Sequence, residues 1–275
     1  MSILSDLPVV ELAAGLAGRV QPGEGDKVLW LHGYTIDSSM WGDMWRRLPG
    51  WHHIGVDLPG HGASEPIDQM GDLATLGRRL GQLCVAEDIR HIVAISFGTI
   101  TAIQIAIEFP AHFASIVLSA PALAGGPHEP EIGEVYMRLV QIYLQTGPGP
   151  RMREVWMGCR ICNGIDQVPG LRASLASLVD RHSWAEIKGY GMLRFTQPPQ
   201  VESALRRIQA AVLVIIGDRE LPAFRTVTQT LQQVLPRIQV REFADADHLG
   251  LLQHPELAAR SIDAHLRAHA VRPPL

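Results

Sequence analysis

Residues 91–98, HIVAISFG, carry a single serine directly after a run of strand-forming residues. Four of the first five residues are apolar, and short apolar runs of this kind are typical of buried β-strands. A helical pattern, TITAIQIAIEF at 99–109, begins shortly after Ser96. Ser96 therefore lies at a strand-to-helix junction, where a serine is either the N-cap of the helix or a side chain exposed by a sharp turn.

Short apolar runs alternate with helical patterns along most of the chain. Six runs predict strands: KVLWLHG (27–33), HHIGVDLPG (52–60), HIVAIS (91–96), ASIVLSAP (114–121), AVLVIIGD (211–218) and IQVREF (238–243). Five amphipathic patterns predict helices, at 40–48, 72–87, 99–109, 224–235 and 255–270. Alternating strands and helices predict an α/β fold with a mostly parallel central sheet flanked by helices. Residues 6–20 are predicted to add a leading antiparallel hairpin.

The alternation stops between residues 124 and 200, where no clear strand pattern occurs. Helical patterns at 131–145 and 170–180 predict an inserted helical subdomain, because a stretch of this length is not expected as a loop within a compact domain. The predicted organisation is a core formed by residues 1–123 and 201–275, with a helical cap or lid formed by residues 124–200.

Aromatic residues of this insert are candidates for a substrate pocket. Trp156, Trp184 and Tyr190 are predicted to bind substrate, because small-molecule pockets are lined mainly by apolar and aromatic side chains. The alternative is that these rings form the core of the insert itself.

Composition and charge argue against several classes of function. The net charge of −4 is not that of a general nucleic-acid binder. The N-terminus lacks the basic segment of a signal peptide, and no apolar run approaches the ~20 residues that span a membrane. We therefore expect a cytoplasmic protein that acts on a small molecule without nucleic acid or membrane; the oligomeric state is not predicted.

Sequence motifs do not indicate a cofactor or a metal. The three cysteines include one C-x-x-C pair, Cys159 and Cys162, which lacks the further ligands of a zinc site. The phosphate-binding pattern G-x-x-x-x-G-K-[ST] and the dinucleotide-binding pattern G-x-G-x-x-G do not occur. The prediction is that the protein needs neither cofactor nor metal.

Two later strand ends carry the partners that a reactive serine needs. A serine hydroxyl requires a general base, and that base is held by an acid. Asp218 ends one predicted strand and His248 follows another, so both lie at the same sheet edge as Ser96. The order Ser96, Asp218, His248 predicts a Ser-His-Asp triad. Glu220, two residues beyond Asp218, is the alternative acid.

The chain resembles the α/β-hydrolase superfamily along nearly all of its length. The resemblance is carried by His32-Gly33-Tyr34 with Trp41, DLPGHGAS (57–64), the turn around Ser96, Gly217-Asp218-Arg219, and Asp247-His248 with His254-Pro255-Glu256. Ala94 stands where the family's G-x-S-x-G turn has its first glycine.

The resemblance implies a role for each matching residue. Ser96 would be the nucleophile, His248 the general base and later acid, and Asp218 the group that orients His248. The backbone N–H groups of Tyr34 and Phe97 would form the oxyanion hole. The helical insert resembles the family's cap.

The expected reaction follows from the serine at the turn. A serine excludes the branches of the superfamily that use an aspartate there, the haloalkane dehalogenases and epoxide hydrolases. The prediction is hydrolysis of a carboxylic ester or lactone through an acyl-enzyme intermediate. Alternatives are a thioesterase, which would meet a carrier protein, a C–C bond hydrolase, and a non-hydrolytic lyase or ligand-binding member.

An excess of positive charge in the insert leaves open an anionic substrate. Residues 151–200 contain seven Arg and Lys against four Asp and Glu. Such a charge could steer an acidic substrate, but scattered surface charges usually contribute little.

Overall fold

The fold is seen in a computed structural model that describes residues 3–189, 191–196 and 199–271. Within these residues eight strands form one sheet: β1 (Val10–Ala13), β2 (Leu16–Gln21), β3 (Lys27–Leu31), β4 (His52–Val56), β5 (Ile89–Ile95), β6 (Ser115–Ser119), β7 (Ala211–Gly217) and β8 (Ile238–Phe243). Their order is β1-β2-β4-β3-β5-β6-β7-β8. β2 pairs antiparallel with β1 and β4, and the other neighbours pair in parallel. The predicted fold class is confirmed, and the leading hairpin forms.

Eleven α-helices lie in the same described residues. They are α1 (Gly42–Arg47), α2 (Leu73–Ala86), α3 (Phe97–Glu108), α4 (Pro130–Thr146), α5 (Pro150–Met157), α6 (Leu171–Arg181), α7 (Gly191–Phe195), α8 (Glu202–Leu205), α9 (Pro222–Val234), α10 (Gly250–Gln253) and α11 (Pro255–Ala268). Short 3₁₀ turns occur at Ser38–Trp41, Arg160–Cys162, Ile165–Gln167 and Ala185–Gly189.

Alternate residues of the central strands pack into two separate hydrophobic layers. Trp30 of β3 belongs to the layer that contains residues of α1 and α11. Its neighbour Leu29 belongs to the layer that contains residues of α2, α3 and α9. Successive side chains of a strand point to opposite faces, so a strand covered on both faces must be apolar throughout. This explains the continuous Val, Ile and Leu runs.

The regular structure described between β6 and β7 is helical. Its described residues form α4 to α8 and three of the 3₁₀ turns and contain no strand. Leu139 and Leu175 of this segment join the same hydrophobic layer as Trp30. We refer to residues 124–200 as the helical segment; their separation from the core as a cap remains a prediction. None of the described helices is both long enough and apolar enough to cross a membrane.

His53 is a buried histidine whose hydrogen bonds require the neutral ring. Its Nδ1 accepts a hydrogen bond from Trp30 Nε1–H at 3.0 Å, and its Nε2 lies 2.8 Å from the Leu48 carbonyl oxygen. This pairing uses the neutral ring, with the proton on Nε2. Burial lowers the pKa of His53 from 6.5 to about 4.

We expect the free energy of unfolding to fall as the pH drops from about 6.5 towards 4. In that window the unfolded ring binds a proton that the folded ring does not, so acid favours the unfolded state. At about pH 5 the loss from His53 alone should be about 2 kcal/mol relative to pH 7.5. Urea denaturation of the wild type and His53→Gln at both pH values measures this loss in the free energy of unfolding. An equal pH dependence in both proteins would contradict the assignment.

Candidate active site

Ser96 lies at the sharp turn between β5 and α3. Its φ of 51° and ψ of −121° are rare for a residue with a Cβ and typify strained functional turns. The turn is held by the Ser96 N–H, which donates to the Ser119 carbonyl at 2.9 Å. Gly98 is required because a Cβ there would lie 2.5 Å from the carbonyl oxygens of Leu31 and His32. The Ser96 side chain makes no capping bond to the helix, so the turn, and not an N-cap, explains this serine.

His248, on the loop after β8, lies against Ser96. Its Nε2 is 2.8 Å from Ser96 Oγ, and its Nδ1 is 2.9 Å from Glu220 Oε1. The ring is fully buried and packs on Phe224, with ring centroids 4.4 Å apart. An ionised carboxylate only accepts hydrogen bonds, so Nδ1 carries the proton and Nε2 is left to accept the Ser96 hydroxyl proton. The three side chains form a continuous hydrogen-bonded chain.

The prediction that Asp218 orients His248 is wrong, because Glu220 takes that position. The Asp218 carboxylate instead accepts the backbone N–H groups of Asp245 at 3.0 Å and Ala246 at 3.1 Å. The bond from Asp245 is the main reason why the pKa of Asp218 is lowered. Asp218 thus stabilises the loop that carries His248 and does not touch its ring.

Glu220 reaches His248 because the turn after β7 passes close to that loop. A Cβ at Gly217 would overlap the Ala246 carbonyl, so only glycine permits the approach. The Glu220 side chain is fully buried, and its Oε1 also accepts the Leu221 N–H at 2.9 Å. Glu220, the alternative to Asp218 predicted from sequence, is therefore the acid that lies against His248.

Tyr34 and Phe97, the two residues predicted to form an oxyanion hole, line the same cavity as Ser96. Phe97 is the first residue of α3, and the first N–H groups of a helix have no partner within it. The assignment of both backbone N–H groups to an oxyanion hole remains a prediction.

His32 fixes the peptide unit that carries the Tyr34 N–H. The Leu58 N–H donates to His32 Nε2 at 2.9 Å, so the ring proton is on Nδ1, which donates to the Gly33 carbonyl at 2.7 Å. Burial lowers the pKa of His32, which favours this neutral ring. In a trans peptide the Gly33 C=O and the Tyr34 N–H point in opposite directions. By holding the Gly33 C=O, His32 therefore orients the Tyr34 N–H.

A cavity of about 440 Å³ opens beside Ser96 and His248. Most of its lining is apolar or aromatic and includes Ile132, Tyr136, Trp156, Met157, Phe224 and Leu249. Among the lining residues that the structure describes there is no Lys or Arg. The cavity suits an uncharged, largely hydrocarbon group.

The three aromatic residues predicted to bind substrate have different outcomes. Trp156 lines the cavity. Trp184 is only 2% exposed and packs behind the cavity wall, with its ring centroid 6.4 Å from that of Trp156, so its prediction as a pocket residue is wrong. Tyr190 lies outside the described residues. Sequence reasoning missed Tyr136 and Phe224, which helical periodicity does not distinguish from core residues.

Arginines of the helical segment pair with acids away from the cavity. Arg153 lies 2.7 Å from Asp180, Arg181 lies 3.1 Å from Asp37, and Arg172 contacts Asp166. None of these arginines is among the lining residues. These three arginines are therefore paired with acids and do not line the cavity beside Ser96.

The described residues hold no group of three or more His, Cys, Asp or Glu side chains that could bind a metal ion. Cys159 and Cys162 are buried free thiols. Burial raises the pKa of Cys162 to about 12, so it is not a reactive thiolate near neutral pH.

Comparisons with known proteins agree with this fold. The sequence model of the alpha/beta hydrolase family matches residues 28–260. The chain is 24% identical over 256 residues to a pimeloyl-[acyl-carrier protein] methyl ester esterase of Nitrosomonas europaea, covering 88% of this chain and 96% of the relative. It is 25% identical over 259 residues to a 2-succinyl-6-hydroxy-2,4-cyclohexadiene-1-carboxylate synthase of Yersinia pseudotuberculosis, covering 91% and 90%. A thermophilic esterase from Thermogutta terrifontis superposes with a TM-score of 0.76 at 22% identity, covering 92% and 94%.

Proposed function

The chain belongs to the alpha/beta hydrolase family, and we propose that it is a serine esterase that cleaves an uncharged carboxylic ester with a hydrocarbon chain. The observation that carries the proposal is the hydrogen-bonded chain from Ser96 through His248 to Glu220, which opens into an apolar cavity. A nucleophile, a base and an orienting acid are the parts that acyl transfer needs.

The proposed reaction begins with attack of Ser96 Oγ on the ester carbonyl. His248 Nε2 takes the serine proton, and the Glu220 carboxylate stabilises the imidazolium that forms. The carbonyl oxygen becomes an oxyanion that accepts hydrogen bonds from the Tyr34 and Phe97 N–H groups; each such donor contributes about 3 kcal/mol. The alcohol leaves with the proton from His248. Water then attacks the acyl-enzyme by the same steps, and the acid is released.

Ester hydrolysis is favoured over the alternatives by the chemistry of the cavity. The Nitrosomonas relative is named as an esterase of a methyl ester, whereas the Yersinia relative is named for a carboxylate product. A carboxylate bound in the cavity would need a cationic partner, and the described lining offers no Lys or Arg. A lactone fits the same chemistry; a thioester or a C–C bond is a second choice.

We predict that kcat/KM for p-nitrophenyl esters rises about fourfold for each methylene added to the acyl chain until the cavity is full, because each buried methylene contributes about 0.8 kcal/mol. Initial rates from acetate to decanoate measure this with one constant leaving group. The matched control is a half-ester of a dicarboxylic acid of equal length, which should react at least tenfold more slowly. A flat series, or a preference for the charged half-ester or for a thioester, would overturn the assignment of substrate class.

A further inference from the structure

A buried carboxylate of the helical segment contacts the loop that carries the Tyr34 N–H. The Tyr34 hydroxyl donates to Glu186 Oε1, and His182 Nε2 lies 3.0 Å from the same oxygen. We propose that Glu186 is a positioning residue, which holds the oxyanion loop (residues 33–37) in place through the Tyr34 hydroxyl. The inference rests on the proposed function, in which the Tyr34 N–H stabilises the oxyanion.

The oxyanion loop has a strained backbone that needs support. Thr35 has a φ of 68°, which is uncommon for a β-branched residue and persists only where the surroundings enforce it. Within the loop, the Thr35 hydroxyl donates to the Tyr34 carbonyl at 2.6 Å. That bond fixes the carbonyl side of Tyr34 and leaves its side chain to be held from outside the loop.

The Tyr34 ring packs against three aromatic side chains of the helical segment, and also against His61 and Phe97 of the rest of the chain. Its centroid lies 5.3 Å from that of Trp156, 5.6 Å from that of His182 and 6.1 Å from that of Trp184, each in an edge-on arrangement. These contacts fix the ring laterally, and the bond to Glu186 fixes its outer end. Burial, together with the nearby Glu186 charge, raises the pKa of Tyr34 well above its usual value, so the hydroxyl stays a donor.

Packing alone does not explain an acid at Glu186. Its side chain is 1% exposed, and its Oε2 has no hydrogen-bond partner among the described residues. Among the described residues, His182 is the one basic side chain within ion-pair distance of the Glu186 carboxylate. Burying a carboxylate with incomplete hydrogen bonding costs folding free energy that a leucine of similar size would avoid. What the carboxylate adds is an acceptor for two donors, one of which is the Tyr34 hydroxyl.

The test compares kcat and KM for one p-nitrophenyl ester in four variants. Tyr34→Phe and Glu186→Ala should each lower kcat about tenfold with KM within twofold, because a displacement of less than 1 Å weakens binding of the transition state more than binding of the ester. The double variant should be no slower than either single one, since both remove the same hydrogen bond. Glu186→Gln should keep most of the activity, because the amide oxygen still accepts both bonds.

A transition-state analogue distinguishes a displaced oxyanion donor from a general disturbance of the structure. In an alkyl trifluoromethyl ketone, the Ser96 oxygen bonds to the carbonyl carbon, the C=O π electrons move to the oxygen, and His248 takes the serine proton. The inhibition constant should therefore rise by the same factor as kcat/KM falls. Asp180→Ala, which removes an exposed ion pair of the same segment with Arg153, should leave both values unchanged.

The positioning role is overturned if Tyr34→Phe retains wild-type kcat and ketone affinity, or if the variants raise KM alone. Tyr34→Phe removes one oxygen and decides the question even if Glu186→Ala does not fold. Wild-type protein that neither hydrolyses the esters nor binds the ketone would instead overturn the proposed function itself, so the two failures are distinguishable.

Discussion

Replacing Ser96 by alanine should lower kcat for ester hydrolysis on the order of 10⁵-fold, with the fold unchanged. Without the hydroxyl no acyl-enzyme forms, and loss of the nucleophile removes nearly all of the effect of the triad. Alanine also has a Cβ, so it meets the same backbone strain at φ 51° as the serine does. Among the residues that the structure describes, Oγ is hydrogen-bonded to His248, and the substitution removes this one oxygen atom, so little packing is lost.

The Ser96 prediction is measured with purified protein, the best p-nitrophenyl ester and a thermal melt of each variant. Ser203→Ala is the matched control, since it removes a hydroxyl from an exposed position of α8. The control should keep wild-type activity. Ester turnover that survives in Ser96→Ala would point to a reaction without a serine acyl-enzyme, as in a lyase.

Replacing Glu220 by glutamine should lower kcat about 10⁴-fold, whereas Asp218→Asn should change kcat by no more than about threefold. The glutamine amide fills the same space but is neutral, so it neither stabilises the imidazolium nor enforces the proton on Nδ1 of His248. The Asp218 carboxylate accepts hydrogen bonds from the backbone of the loop that leads to His248 and not from the His248 ring, so its amide should cause a modest loss of stability and little change in chemistry.

The two variants form a matched pair, because each replaces one carboxylate by its amide within the same turn. Steady-state kinetics over a range of pH, with the same ester, measures both. A large loss of kcat in Asp218→Asn with little loss in Glu220→Gln would show that Asp218 orients the base and that the arrangement around His248 differs in solution.

The sheet could be predicted from sequence because its signal is local. Each strand pattern begins and ends within a few residues of the observed strand, as for the run at 211–218 and Ala211–Gly217. Ser96 and His248 were predictable for a related reason: Ser96 directly follows β5, His248 lies on the loop that follows β8, and the carboxyl ends of parallel strands share an edge. Periodicity and strand order therefore bring two of the three interacting side chains together.

The acid was not predictable, because two acids lie within three residues of the end of β7. Which one reaches His248 depends on the path of the turn, and that path is set by the close approach of Gly217 to Ala246. This is a contact between distant parts of the sequence. Asp218, directly after the strand, is held by the backbone of the neighbouring loop, and Glu220 is left to face the ring.

The full set of residues that line the cavity could not be predicted from sequence either, because their placement also depends on contacts between distant parts of the chain. Trp156 and Trp184 are both aromatic residues of one helical segment, and their spacing does not show which one lines the cavity. Trp184 has a φ of 56°, a conformation that intrinsic propensity does not predict for tryptophan. The pairing of Tyr34 with Glu186 spans 152 positions and leaves no sequence pattern.

The most direct measurement of a serine acyl-transfer site is peptide mass spectrometry after reaction with an alkyl fluorophosphonate. We predict one adduct, on Ser96, that forms in the wild type and Asp218→Asn, forms far more slowly in Glu220→Gln, and is absent from Ser96→Ala. A wild-type protein that stays unlabelled, or a label that persists in Ser96→Ala, would contradict the assignment of Ser96 as the nucleophile.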